Sequence, residues 1–140
     1  MKFTDIPLST HFGLKEAEPQ SDYVLYLDES PALQNHLGQL HAAVLFGLVE
    51  TSSAHFLQQV FQEIEEGLIP VIRKVDIKYS RPGKGRVFSK VNLIDSKEDI
   101  LTRYKAKGRV SLVTEVYIEN EEKESLVGAQ VQWFFQQASA

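Results

Sequence analysis

The stretch HAAVLFGLVETSSAHFLQQVFQEIEEGLIP, residues 41–70, decides the fold. From Ala42 to about Glu65 it reads as one helix. On a 3.6-residue wheel Leu45, Phe46, Val49, Phe56, Leu57, Val60 and Ile64 share a broad face, while Thr51, His55, Gln58 and Gln62 fall opposite. The first half, Ala42 to Val49, is apolar nearly all round, which predicts the buried end of the helix. Gly67 is placed to cap the C-terminus and Pro70 to stop the helix continuing. A helix this apolar cannot lie on a surface, so the rest of the chain must wrap it.

Downstream, the pattern changes to period two. Val71, Val75, Ile77 and Tyr79 fall on one face of a strand, and Lys74, Asp76 and Lys78 on the other. Pro82-Gly83-Lys84-Gly85 turns the chain into a second strand, Arg86 to Ile94. A polar loop at Asp95 to Asp99 leads to a strand from Tyr104 to Ile118, and a turn at Asn120 to Glu124 leads to a last one from Leu126 to Phe135. Upstream, Phe12 to Leu27 reads as extended structure broken at Pro19–Asp22, and the first ten residues as a peripheral arm. Short turns favour antiparallel pairing. The reading is a single α+β domain over residues 1–140, a sheet of about five to six strands curled around one central helix.

Composition narrows the function. The chain has 43% hydrophobic and 24% charged residues, ordinary for a globular protein. Its net charge of -4 lacks the basic footprint of a nucleic-acid binder. Without cysteine it has no disulfide framework, thiolate metal site or cysteine nucleophile. His36 and His41 are five apart, which is no metal-ligand spacing, so neither metal nor resident cofactor is expected. With no apolar run long enough to span a bilayer and no signal-like start, a cytoplasmic, non-membrane protein is the expectation.

Three residues near the helix carry possible chemistry. Glu50 falls inside the apolar arc, between Phe46 and Leu57 on one side and Ala43 and Phe61 on the other. A carboxylate there is suited to general-base work, although a Glu on the helix flank that reaches water or a cation fits the wheel too. His41 stands at the helix mouth, where the unpaired N–H of Ala42 and the helix dipole favour a developing oxyanion. The plain alternative is a polar residue near a cap. Asn35 has the equally plain alternative of a turn former.

In combination, Asn35, Gly38, His41 and Glu50 resemble the hotdog-fold acyl-CoA thioesterases, and most closely the phenylacetate-pathway and 4-hydroxybenzoyl-CoA types. Asn35 lies six before His41 and Glu50 nine after it, and Tyr79-Ser80-Arg81-Pro82 is similar to that family's Tyr-x-Arg-Pro strand end. Ala42 and Ala43 stand where the family has two glycines. The oxyanion donor is a backbone N–H, which Ala42 retains, but two methyl groups narrow the approach. The resemblance implies a hotdog fold and hydrolysis of an acyl-CoA or acyl-carrier-protein thioester. Glu50 would act as base or nucleophile, Ala42 as oxyanion donor, and Asn35 or His41 as the orienting group. It implies Gly38, Phe46, Val49, Tyr79 and Arg81 as substrate contacts, coenzyme A only as part of the substrate, and a homodimer or dimer of dimers whose sites borrow residues across the interface. Arg81, Arg103, Lys105 and Arg109 are candidates for the coenzyme's phosphates, with solvent exposure as the alternative. A non-catalytic acyl-CoA-binding domain is the competing reading, ahead of a hydratase on the same fold; His11-Phe12-Gly13 only superficially resembles a hydratase loop.

Overall fold

The computed structural model describes residues 2–64 and 68–137. Its centre is helix α2, Ala42–Val60, which lies against a six-stranded antiparallel sheet. The strands are β1 (Lys15–Glu16), β2 (Leu25–Leu27), β3 (Leu68–Tyr79), β4 (Val87–Leu93), β5 (Arg109–Glu119) and β6 (Ser125–Gln137), in the spatial order β1-β2-β4-β5-β6-β3. The long β5–β6 hairpin, turned at Asn120 to Glu124, is the spine of the sheet, and β3 closes one edge against β6. The inner face, Leu112, Val116, Ile118, Val127, Val131, Trp133 and Phe135, is buried with Leu45, Leu48, Val49 and Leu57 of α2. The order helix then four strands is the one expected.

Two polar tethers fix the helix on this apolar bed. Ser52 Oγ donates to Ser89 Oγ (2.6 Å) on β4. Ser53 Oγ shares a hydrogen bond with Thr114 Oγ1 (2.6 Å) on β5 and accepts from the Trp133 indole N–H (2.7 Å) on β6. All four hydroxyls are fully buried, so their hydrogen bonds define the rotation of α2 about its own axis.

Several expectations are corrected. The long helix ends at Val60, and a separate 3-10 turn follows at Gln62–Ile64; the expected cap at Gly67 lies outside the described residues. The N-terminal half of α2 is buried along one face only: Val44, Leu45, Leu48 and Val49 are in the core, but Ala42 and Ala43 are exposed and Phe46 and Gly47 half-buried, whereas the run Ser52, Ser53, Ala54 and His55 is wholly buried. His55, expected on the outer face, is covered by the N-terminal segment, and its Nε2 lies 3.3 Å from Glu16 on β1. That segment is a folded cap. A 3-10 turn at Phe3–Asp5 precedes helix α1, Pro7–Phe12, which has Pro at its start and left-handed Gly13 (φ 76°) at its end. The Phe12 ring packs against Gly47, where an added Cβ would come within 2.6 Å of it.

Pro70 sits inside β3 without interrupting it, which an edge strand tolerates. A bulge between Ile72 and Lys74 then divides the face expected for β3. Ile72 pairs with Trp133 on the inner side, while Val71 pairs with Phe134 on the outer side. The expected loop and strand start around Tyr104 are instead helix α3, Lys97–Lys107. Ser96 Oγ caps it by accepting from the Asp99 N–H (3.1 Å), Glu98 and Asp99 occupy its first turn, Lys105 and Lys107 its last, and Gly108 ends it at φ 69°.

Candidate active site

The sequence before α2 builds a tight loop. Asn35 Oδ1 accepts from the N–H groups of Leu37 (2.9 Å) and Gln39 (3.1 Å), and the Asn35 N–H donates to the Gln39 carbonyl (2.7 Å). Gly38, at φ 71°, makes the reversal possible. Asn35 is therefore a turn former. Its amide orientation is fixed by the two bonds to Oδ1, which leaves Nδ2 without a protein partner among the described residues.

His41 is the N-cap of α2. Its Nδ1 accepts from the Ala43 N–H (2.9 Å) and its carbonyl accepts from Val44 (2.9 Å). A neutral imidazole accepting at Nδ1 carries its proton on Nε2. Of the two N–H groups at the helix mouth, Ala43's is thus consumed by the cap. Ala42's has no partner among the described residues, and it stands at the positive pole of the helix.

In front of Ala42 lies a cleft of about 340 Å³ lined by residues from three segments: Asn35, Gln39 and Leu40; Ala42 and Leu45; and Tyr79 to Gly83. The Tyr79 hydroxyl donates to the Ala42 carbonyl (3.3 Å), and burial pushes the phenol above its ordinary value, which keeps the donor protonated. Gly83 meets Leu40 so closely that an added Cβ would lie 3.2 Å from the leucine side chain, and the Gly83 carbonyl accepts from the Leu40 N–H (2.9 Å). The Pro82–Gly85 turn therefore forms a wall of the cleft. Ser80, Pro82, Gly83, Leu40 and Leu45 were not foreseen as lining; the Tyr-x-Arg-Pro motif was the available signal.

Four of the expected residues, Asn35, Ala42, Tyr79 and Arg81, meet at this cleft. The others do not. Gly38 and His41 are exposed beside it, serving the loop and the cap. Phe46 is half-buried, and Val49 is fully buried in the core. Arg81 is tied to Glu124 at 3.3 Å. Glu50 is half-buried, and its side chain has no hydrogen bond or ion pair among the described residues. It sits eight positions beyond Ala42 on α2, so the helix carries it about 12 Å from the open N–H of its own chain.

A central helix with its free N–H pole at a cleft, held in a curled antiparallel sheet, is a hotdog domain. Residues 12–135 match the family described as a domain of unknown function, DUF4442, and the chain belongs to that family. A Pseudomonas aeruginosa protein of unknown function, called a probable thioesterase, is similar with a TM-score of 0.82 at 19% identity, over 96% of this chain and 91% of that one. A thioesterase from Haemophilus influenzae gives 0.76 at 18% identity, over 98% and 87%. A Bacillus halodurans protein whose structure contains CoA gives 0.70 at 17%, over 91% and 74%. At these identities the likeness is one of fold. No curated protein matches. No helix among the described residues is long and apolar enough to cross a membrane.

Proposed function

We propose that the protein hydrolyses the acyl thioester of coenzyme A or of a carrier protein, at a site completed by a second copy of the chain. The unpartnered Ala42 N–H at the cleft carries this reading. The thioester carbonyl oxygen accepts from that N–H, with Asn35 Nδ2 beside it as a second donor. Glu50 of the second copy takes a proton from water, the hydroxide adds to the carbonyl carbon, and the tetrahedral intermediate expels the thiolate, which recovers the proton. Direct attack by Glu50, giving a mixed anhydride that water then opens, uses the same placement. The CoA in the Bacillus halodurans structure and the thioesterase name of the Haemophilus influenzae protein support the substrate class.

Two features favour a composite site. Glu50 lies too far along α2 to reach the Ala42 of its own chain, whereas an antiparallel pair of α2 helices would bring each Glu50 toward the other's N-terminus. Strand β3 is also a 12-residue edge with exposed Val71 and Tyr79, the kind of edge that pairs with another strand.

The test is thiol release from short-chain, long-chain and aryl acyl-CoAs, with wild type beside Glu50→Gln. Hydrolysis requires turnover that falls by about 10²-fold or more in the variant while binding persists. Binding without turnover on any substrate would assign the protein as a non-catalytic acyl-CoA-binding domain. That outcome would fit the methyl groups of Ala42 and Ala43 and the loss of one N–H to the His41 cap.

A further inference from the structure

Helix α1 ends at Phe12 because Gly13, left-handed at φ 76°, turns the chain, and the Phe12 ring meets α2 at Gly47. Gly47 is the one glycine of α2, in a helix interior where only proline is a poorer helix former. The ring accounts for it: a Cβ at 47 would lie 2.6 Å from one ring carbon and 3.2 Å from the next. Helix propensity is set aside at a single position so that a phenyl ring can lie against the α2 backbone.

On the helix wheel Gly47 divides two flanks of α2. Thr51 and His55 lie on one, where the N-terminal cap leaves His55 only 4% exposed and brings Glu16 to its Nε2. Ala43 and Glu50 lie on the other, Ala43 exposed and Glu50 half-buried. Phe12 stands at the border between them. It packs on the core but is itself only half-buried, so part of its ring is open. Three residues of helix rise about 4.5 Å, which makes the residue beneath the ring a surface neighbour of Glu50.

We propose that Phe12 forms the end wall of the acyl pocket and sets the longest acyl chain the site accepts. The inference rests on the thioester reading and its composite site. There the carbonyl carbon lies between the Ala42 N–H of one copy and Glu50 of the other. The sulfur side of the thioester leaves through the first copy's cleft, between Asn35 and the Tyr79–Gly83 segment. The acyl group leaves on the opposite side, toward the copy that supplies Glu50. On that copy Ala43 and Gly47 project almost nothing, so the bulky group next to Glu50 on this flank is the Phe12 ring. A hydrocarbon chain meets the open part of an apolar ring without stranding a polar group. Trimming the ring opens room at the end of the pocket, where each further buried methylene is worth about fourfold in binding.

The test is kcat/KM for thiol release across straight-chain acyl-CoAs from acetyl to palmitoyl, with Kd for the same series measured by calorimetry in a Glu50→Gln background. Wild type is expected to fall off within the series. Phe12→Ala should move the optimum to a longer chain and raise both measures by about tenfold or more for chains beyond the wild-type limit. Phe12→Leu, which keeps an apolar contact with the cap, should move it less. Gly47→Ala leaves the ring in the sequence but displaces it, and should change the chain-length ranking while the helix gains propensity. Leu8→Ala, exposed on the same α1, should keep the wild-type ranking. A wild type indifferent to chain length, or a Phe12→Ala ranking equal to that of wild type, would overturn the proposal and leave hydrolysis standing. A uniform loss across all chains would do the same, since it marks a residue that only stabilises the cap. A Kd ranking that shifts in Phe12→Ala without turnover in any form would uphold the wall and overturn hydrolysis. Failure of every acyl-CoA to bind would overturn both.

Discussion

Replacing Ser53 by Ala tests what holds the central helix in register. The Ser53 hydroxyl is fully buried, accepts from Trp133 Nε1–H and shares a hydrogen bond with Thr114 Oγ1. Its removal strands an indole N–H and a threonine hydroxyl in the core, each costing about 1–3 kcal/mol, for a total of about 2–6 kcal/mol. The adjacent Ser52→Ala is the control. Ser89 Oγ, its partner, still accepts from the Leu25 N–H (3.0 Å) and donates to the Leu25 carbonyl (3.3 Å), so that change should cost only about 1 kcal/mol. Both substitutions gain the same few tenths of a kcal/mol in helix propensity, which cancels in the comparison. Urea unfolding should show a lower midpoint at unchanged slope, and Tm should fall by roughly 6–24 °C for Ser53→Ala against about 4 °C for Ser52→Ala. In a Trp133→Phe background the cost of Ser53→Ala should shrink by about 1–2 kcal/mol, since one stranded donor is already gone. A Ser53→Ala loss no larger than that of Ser52→Ala would refute the account.

Ala42→Pro removes the proposed oxyanion donor at the one helical position where Pro is at home, behind a His41 already extended at ψ 140°; acyl-CoA turnover should drop about 10²-fold with the far-UV circular dichroism intact. An equimolar mixture of Ala42→Pro and Glu50→Gln chains, refolded together, should recover about a quarter of wild-type turnover if each site takes Ala42 from one copy and Glu50 from the other, and none if both act within one chain. Burial lowers the His55 pKa below its ordinary value, against the opposing pull of Glu16, so the unfolded chain binds the proton more readily. The stability this contributes is present above about pH 6.5 and is lost as pH falls through the folded value; urea midpoints at pH 7.5 and 5.5 should differ less in His55→Gln than in wild type. Gly108→Ala should cost about 1 kcal/mol in thermal unfolding from its positive φ alone, because the added Cβ meets nothing nearer than 3.7 Å.

The legible parts of the fold were those whose patterns depend on burial. Helix α2 begins at Ala42 as expected, and four strands follow it because their apolar residues alternate. Helix α3 escaped a reading based on periodicity because only Ile100 is buried; its signals were the Ser96 cap, the acidic first turn and Gly108. His55 was misplaced for a different reason. A wheel compares one helix with water, and what covers His55 is the cap formed by residues 2–16, whose short α1 and two-residue β1 carry little pattern of their own. The bulge at Arg73 was equally invisible, because one inserted residue moves Val71 to the outer face without altering composition.

The candidate site shows the same division between what a chain encodes locally and what it leaves for a partner. Asn35 and His41 each admitted a plain structural reading, and both perform it, one closing the loop and the other capping the helix. Those roles leave the Asn35 Nδ2 and the Ala42 N–H as open donors at the cleft. Helix α2 is nearly all apolar from Ala42 to Val49, yet this end is the more exposed in the single chain, and the half-buried carboxylate of Glu50 follows directly. One apolar face at this end, Ala42, Ala43 and Phe46, that the chain's own sheet does not cover, a carboxylate with no side-chain partner among the described residues and an open edge at β3 are what a surface completed by a second copy requires. Under the proposed composite site, the part of the apolar arc that the core leaves uncovered, with half-buried Glu50 at its border, is where a second α2 would pack.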